Sequence, residues 1–187
     1  MKKIAILVDL ELSEKAGGHV KFWERICNSI KDSYEDFHLV VIFLGKKPIK
    51  KKIGKNIDFW TIKPILSSKI LRPLGVDADI TDLSPFNIGL FFKLKAFDLI
   101  HTTDQLFSMA NTAKYASKFW GIPLTTSLHT DSPSYTEYYV KKIFDKFPKF
   151  INKFAIERNK IHKRISRNQK KKFENYLVHC SYGMIND

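Results

Sequence analysis

Apolar residues along this chain fall into two patterns. Ile4–Val8 and Leu39–Leu44 are continuous apolar runs, as expected of strands buried on both faces. Ile57–Ile62, Phe97–His101, Ile122–Thr126 and Tyr176–Cys180 read as four more strands. The other pattern is helical. Phe22, Trp23, Ile26, Cys27 and Ile30 share one face of a predicted helix, Val20–Ile30. A short helix is expected around Phe86–Leu94, and another over Gln105–Trp120 with Asp104 as its cap. Gly121 should close that helix and Pro123 open the next strand. A long helical region is expected over Tyr135–Phe173, broken or kinked at Pro148. Lys46–Lys55 reads as a solvated loop, and Ser67–Leu90, punctuated by Pro73, Gly75 and Pro85, has little pattern. Strands alternating with helices imply right-handed crossovers. The expected fold is α/β, a Rossmann-like three-layer arrangement. It has a parallel sheet of about five to seven strands and helices on both faces.

At 187 residues, one domain is expected. Apolar residues make up 44% and aromatics 13%, which supports a packed core and argues against disorder. The sparse cysteines, Cys27 and Cys180, form neither a disulfide framework nor a metal set and suit a reducing cytosol. Asp9 and Glu11 end the first apolar run short of a signal-peptide core. No run approaches a membrane span.

The formal charge of +13 is local. Residues 46–55 hold six lysines and no acid, and residues 141–172 hold thirteen Lys/Arg against Asp145 and Glu157. The rest of the chain is net acidic. Along 141–165, Ile143, Phe147, Phe150, Phe154, Ile161 and Ile165 recur at helical intervals among the basic residues. Three readings compete: a helix packed on the sheet with a solvated outer face, a basic amphipathic surface on anionic lipid, and a nucleic-acid contact. No nucleic-acid module is recognisable, and the aromatics are spaced for packing rather than stacking. Nucleic acid is therefore not expected as a partner. On the lipid reading, Lys149, Lys153, Lys163 and Arg164 face the membrane.

Candidate chemistry gathers at predicted strand ends, where open α/β sheets bind ligands. The first strand leads to Ala16-Gly17-Gly18-His19 and a helix, a place where backbone amides can meet a phosphate. A plain flexible turn is the competing reading. The fourth strand ends at His101, and the fifth runs into Ser127–Tyr139, S-L-H-T-D-S-P-S-Y-T-E-Y-Y. That places His129 and Asp131 near His101, and Gly17, Gly18, His101, His129 and Asp131 should converge on one crevice. Their spacing matches no zinc motif, so a hydrogen-bonding role is expected rather than a metal. There is no dinucleotide fingerprint, P-loop or hydrolase elbow.

These residues resemble the N-terminal half of a family 4 glycosyltransferase of the two-domain GT-B fold. The similar blocks are K-I-A-I-L-V-D…A-G-G-H-V, F-D-L-I-H-T-T-D…A-K-Y-A-S-K-F-W-G-I-P-L-T-T-S-L-H-T-D-S-P-S-Y and Y-L-V-H-C-S. The H-T-D-x-P-x-Y form is most similar to the branch that glycosylates lipids. The resemblance spans nearly the whole chain, specific over 97–139 and loose over 46–95. It implies that residues 1–187 form an acceptor-binding domain and that the donor-binding domain is absent, with its Glu-x(7)-Glu motif and basic diphosphate clamp. It also implies retention of anomeric configuration and no metal or other cofactor. Gly17 and Gly18 would face the donor diphosphate and His129 would be catalytic, against the donor sugar. His101, Asp131 and Tyr135 would lie on the acceptor side. The implied partners are a lipid or glycan acceptor, an anionic membrane surface, and a nucleotide-sugar once a separate donor domain is supplied. The expected location is cytoplasmic, peripheral on the membrane's cytoplasmic face. The rival reading is a non-catalytic binding module that keeps only the fold.

Overall fold

The computed structural model describes residues 1–14, 16–33, 36–74, 80–129, 134, 138, 167–178 and 180. Its strands are β1 (Lys2–Glu11), β2 (Phe37–Leu44), β3 (Ile49–Lys52), β4 (Ile57–Ile62), β5 (Leu99–Thr102) and β6 (Leu124–Thr126). Its bounded α-helices are α1 (Gly18–Ile30), α2 (Ile88–Leu94) and α3 (Ser108–Trp120). The six strands form one sheet in the order β3-β4-β2-β1-β5-β6. All neighbours pair in parallel except β3 and β4. This is the expected Rossmann-like α/β architecture.

The central strands show why the sheet is covered on both faces. In β1, Ala5 and Leu7 join one apolar cluster, and Ile6 and Val8 join the other. In β2, Val40, Ile42 and Leu44 point one way and Leu39, Val41 and Phe43 the other. With side chains alternating across a strand, an unbroken apolar run needs cover on each side. Helix α1 provides it on one face through Val20 and Cys27. On the other face α2 and α3 contribute Leu90, Leu94, Met109, Ala113 and Ala116. The free thiols of Cys27 and Cys180 lie in opposite clusters, so the sheet separates them.

Three local expectations change. First, Lys46–Lys55 is not all loop, because Ile49–Lys52 forms the antiparallel edge strand β3. Its four residues are exposed, and Lys50 Nζ sits 4.2 Å from the centre of the Trp60 ring. Charged, short edge strands discourage pairing with another chain, so a lysine-rich segment can still be a strand. Second, Tyr176 and Cys180 are helical, not a strand; residues 167–178 form a helix. Tyr176 and Cys180 enter the core beneath it, a spacing that belongs to a helix. A short apolar run by itself does not separate the two periods. Third, α3 begins at Ser108 rather than Gln105. Asp104 Oδ1 accepts hydrogen bonds from the Leu106 and Phe107 amides in the preceding turn.

Asp9, the last buried residue of β1, reaches the first turn of α3 instead. Its carboxylate accepts from Met109 N at 3.0 Å, Asp82 N at 3.2 Å and Thr81 Oγ1 at 3.1 Å. A carboxylate beside a helix N-terminus is favoured by the aligned peptide dipoles. Helix α3 stops as expected: Gly121 takes the left-handed conformation, φ 67°, which costs glycine little.

Candidate functional site

The carboxyl ends of β5 and β6 carry a seam of hydroxyls. Thr102 and Thr126 bond side chain to side chain at 3.0 Å, and the buried Tyr176 hydroxyl joins Thr102 Oγ1 at 2.9 Å. Gln105, buried after β5, donates from Nε2 to Thr126 Oγ1 at 2.7 Å and to the Ser127 carbonyl at 2.9 Å. These bonds hold the segment leaving β6 against the loop leaving β5.

On this support sits a chain of side chains. His101 Nδ1 contacts Thr125 Oγ1 at 2.9 Å, and His101 Nε2 contacts Ser127 Oγ at 3.0 Å. The same Ser127 Oγ lies 2.6 Å from His129 Nε2. A serine hydroxyl has one proton and two acceptor lone pairs. Serving two ring nitrogens, Ser127 donates to one imidazole and accepts from the other. The protonation of His101 is thereby linked to the tautomer of His129.

The far side of His129 is covered by α1. Its ring lies 4.3 Å from that of His19 and 5.2 Å from that of Phe22. Trp23, on the same helix, meets His101 at 5.8 Å. Residues 19, 22 and 23 follow i, i+3, i+4 spacing and share one helix face. The glycine loop, which α1 continues, is therefore next to the histidines. Gly17 is the extended residue before the helix, and no side chain caps that end.

Burial pushes the histidines toward their neutral form. His19 and His101 are each lowered from 6.5 to about 4, first by burial and then by His129. His129, exposed at the mouth, is lowered by partial burial. The site thus presents neutral imidazoles at neutral pH. Such rings exchange hydrogen bonds with hydroxyls and can take up a proton; they do not supply fixed positive charge to a phosphate. Among the described residues, no cluster of three or more His, Cys, Asp or Glu could hold a metal ion.

The structure thus brings His101 and His129 together, beside the loop that carries Gly17 and Gly18. Asp131, Tyr135, Lys149, Lys153, Lys163 and Arg164 lie outside the described residues. Of the basic stretch 141–172, Arg167, Lys170, Lys171 and Lys172 are described, and all four are exposed on the helix 167–178. Among the described residues no helix is long and apolar enough to cross a membrane.

Sequence reasoning missed His19, Gln105 and the bridging role of Ser127. His19 carried a signal: it follows the glycine pair and shares a helix face with Phe22 and Trp23. Gln105 carried none, because its partners lie 21 and 22 residues away.

Gly18 starts α1, and a Cβ there would meet nothing within 4 Å. Replacing a helical glycine whose conformation suits alanine stabilises by about 0.4–1 kcal/mol. Gly18→Ala should therefore unfold at equal or higher denaturant. A clear loss of stability would mean that this loop needs glycine for its own fold.

Comparison of the chain with protein-family models, curated proteins and solved structures gave no match, so the glycosyltransferase resemblance rests on the residues quoted above.

Proposed function

We propose that this chain is the acceptor-side domain of a retaining glycosyltransferase, taking a lipid or glycan hydroxyl as acceptor and a nucleotide-sugar as donor. The observation that carries the reading is the His101–Ser127–His129 chain at the carboxyl end of a parallel sheet, beside the glycine loop. Its chemistry suits polyols. Neutral imidazoles and a row of hydroxyls can both give and take hydrogen bonds, as a sugar hydroxyl requires.

In this reading His129, exposed between His19 and Phe22, contacts the donor sugar near the reacting carbon. His101 is a positioning residue that fixes the His129 tautomer through Ser127. Gly18, open above the helix N-terminus, lets a diphosphate approach the backbone. Asp131 and Tyr135 line the acceptor side. Group transfer breaks the bond between the anomeric carbon and the diphosphate and forms one to the acceptor oxygen; the acceptor proton leaves with the diphosphate. The barrier falls through positioning and charge stabilisation at the departing diphosphate. Lowered histidines do not supply that charge, so a donor-binding domain opposite the crevice must.

Two measurements test this. The 187-residue chain alone should not turn over nucleotide-sugars, because transition-state binding must come from both walls of the cleft. Robust transfer by the chain alone would refute the division of labour. In ¹⁵N-histidine spectra, millimolar myo-inositol or methyl glucoside should shift the His129 and His101 ring nitrogens together, with Ser127→Ala uncoupling them. Unshifted resonances with every polyol offered would argue against an acceptor site here and favour a module that keeps only the fold.

A further inference from the structure

The outer face of α2 and α3 is unusually apolar for a surface. Ile88, Phe92, Tyr115 and Phe119 are 59 to 69 % exposed. Each helix places one pair at i, i+4, so Ile88 and Phe92 share one face of α2, and Tyr115 and Phe119 share one face of α3. Behind them Phe91 packs between the helices, 5.3 Å from Phe92 and 5.8 Å from Phe119, ring centre to ring centre. A shallow open groove of about 590 Å³ runs across this face, lined by Phe86, Phe91, Tyr115, Lys118 and Phe119. Contiguous exposed apolar surface of this kind marks an interaction site.

Charge selects the partner. Neither helix contains an aspartate or glutamate, and Lys93, Lys95 and Lys118 are exposed around the aromatic rings. Lys95 Nζ lies 4.8 Å from the Trp120 ring centre. A second copy docked by this face would set lysines against lysines. A lipid surface with negative headgroups fits both features. Aromatic rings settle at the headgroup boundary, and lysine stems lie along apolar surface while their ammonium groups reach phosphate.

We propose that the α2–α3 face docks on an anionic bilayer, with Ile88, Phe92, Tyr115 and Phe119 entering the interface and Lys93, Lys95 and Lys118 meeting lipid phosphates. This surface is separate from the basic stretch 141–172 and does not depend on the crevice transferring a sugar.

Sedimentation with vesicles tests it. The chain should pellet with phosphatidylglycerol/phosphatidylcholine vesicles and stay in the supernatant with pure phosphatidylcholine. The double variant Phe92→Ser, Phe119→Ser should lose at least tenfold in affinity. Each of Lys93→Gln and Lys118→Gln should lose about fivefold, the effect of roughly one charge at the surface. All of these side chains are exposed, so circular dichroism and thermal unfolding should be unchanged. Three results would overturn the proposal. The first is wild-type binding by the phenylalanine variant, which would leave the basic stretch in charge. The second is no pelleting with either lipid. The third is a dimer in solution that Phe92→Ser dissociates, which would assign the face to a second copy. The assay contains no sugar, so its failure leaves the glycosyltransferase reading standing, and the reverse also holds.

Discussion

Asp9→Ala should destabilise the fold by about 3–5 kcal/mol, the largest loss expected from any single substitution discussed above. The carboxylate is buried and joins three segments distant in sequence: β1, residues 81–82 and the first turn of α3. Alanine leaves the Met109 and Asp82 amides and the Thr81 hydroxyl without that acceptor in a dry site. Each orphaned group costs about 1–3 kcal/mol, against a total stability of about 5–15 kcal/mol. Asp9→Asn keeps one acceptor oxygen and should cost less, in a pH-dependent way. Burial, reinforced by the Asp104 charge, raises Asp9 from 3.8 to about 7. The folded state therefore holds a proton that the unfolded state releases between pH 4 and 7. The stability this contributes is present below about pH 4 and is lost as pH rises through 7. The asparagine cannot ionise, so its deficit relative to wild type should shrink between pH 5 and pH 8. Urea unfolding at those two pH values reads both effects. A deficit that stays constant between those pH values would mean the carboxylate is already ionised at pH 5, held so by its donors.

The second large effect is loss of stability in acid. His19 and His101 have folded values near 4 against 6.5 for the free side chain, and His129 is displaced in the same direction. Between pH 6.5 and 4 the unfolded chain takes up protons that the folded chain refuses. Stability therefore falls as pH drops through that window. Asp9 acts in the opposite direction over much of the same range, but it is one group against three. The urea midpoint should decline from pH 7 to pH 4.5, and His101→Asn should flatten the decline. The test is specific because His101 is tied to Thr125 and Ser127, so neutral-pH stability of the variant gives the packing contribution separately. A variant that follows the wild-type pH profile would place the acid-sensitive groups elsewhere.

Much of this architecture was legible in the chain because its signals are local. Ile4–Val8 and Leu39–Leu44 are apolar at consecutive positions, which only a two-faced environment accommodates. Gly121 and Pro123 mark a helix end within three residues. His101 and His129 could be placed at one edge because both follow strand-like runs. Local pattern misleads where it suits two periods or where a residue's partner is distant in sequence. Tyr176–Cys180 contains apolar residues that suit either period, and packing beneath β5 decided for helix. Ile49–Lys52 is lysine-rich, a composition that by itself suits a solvated loop. Its strand conformation comes from pairing with β4, whose Thr61 side chain also accepts from the Ile49 amide at 3.0 Å. Asp104 was the nearest candidate cap for α3, yet Asp9, a hundred residues from Met109, caps its first turn.

The sequence by itself determined the layered α/β plan, the covered sheet and the strand ends where polar chemistry gathers, because period and punctuation are properties of neighbouring residues. Tertiary structure decided what those groups become. Burial where α1 meets the sheet edge favours the neutral form of His19 and His101, Ser127 joins two rings that sequence left unconnected, and the close packing of α2 and α3 assembles an aromatic face from two helices that each show only part of it. Solvation, hydrogen bonding between distant residues and surface shape depend on which segments are brought together, and sequence spacing does not record that.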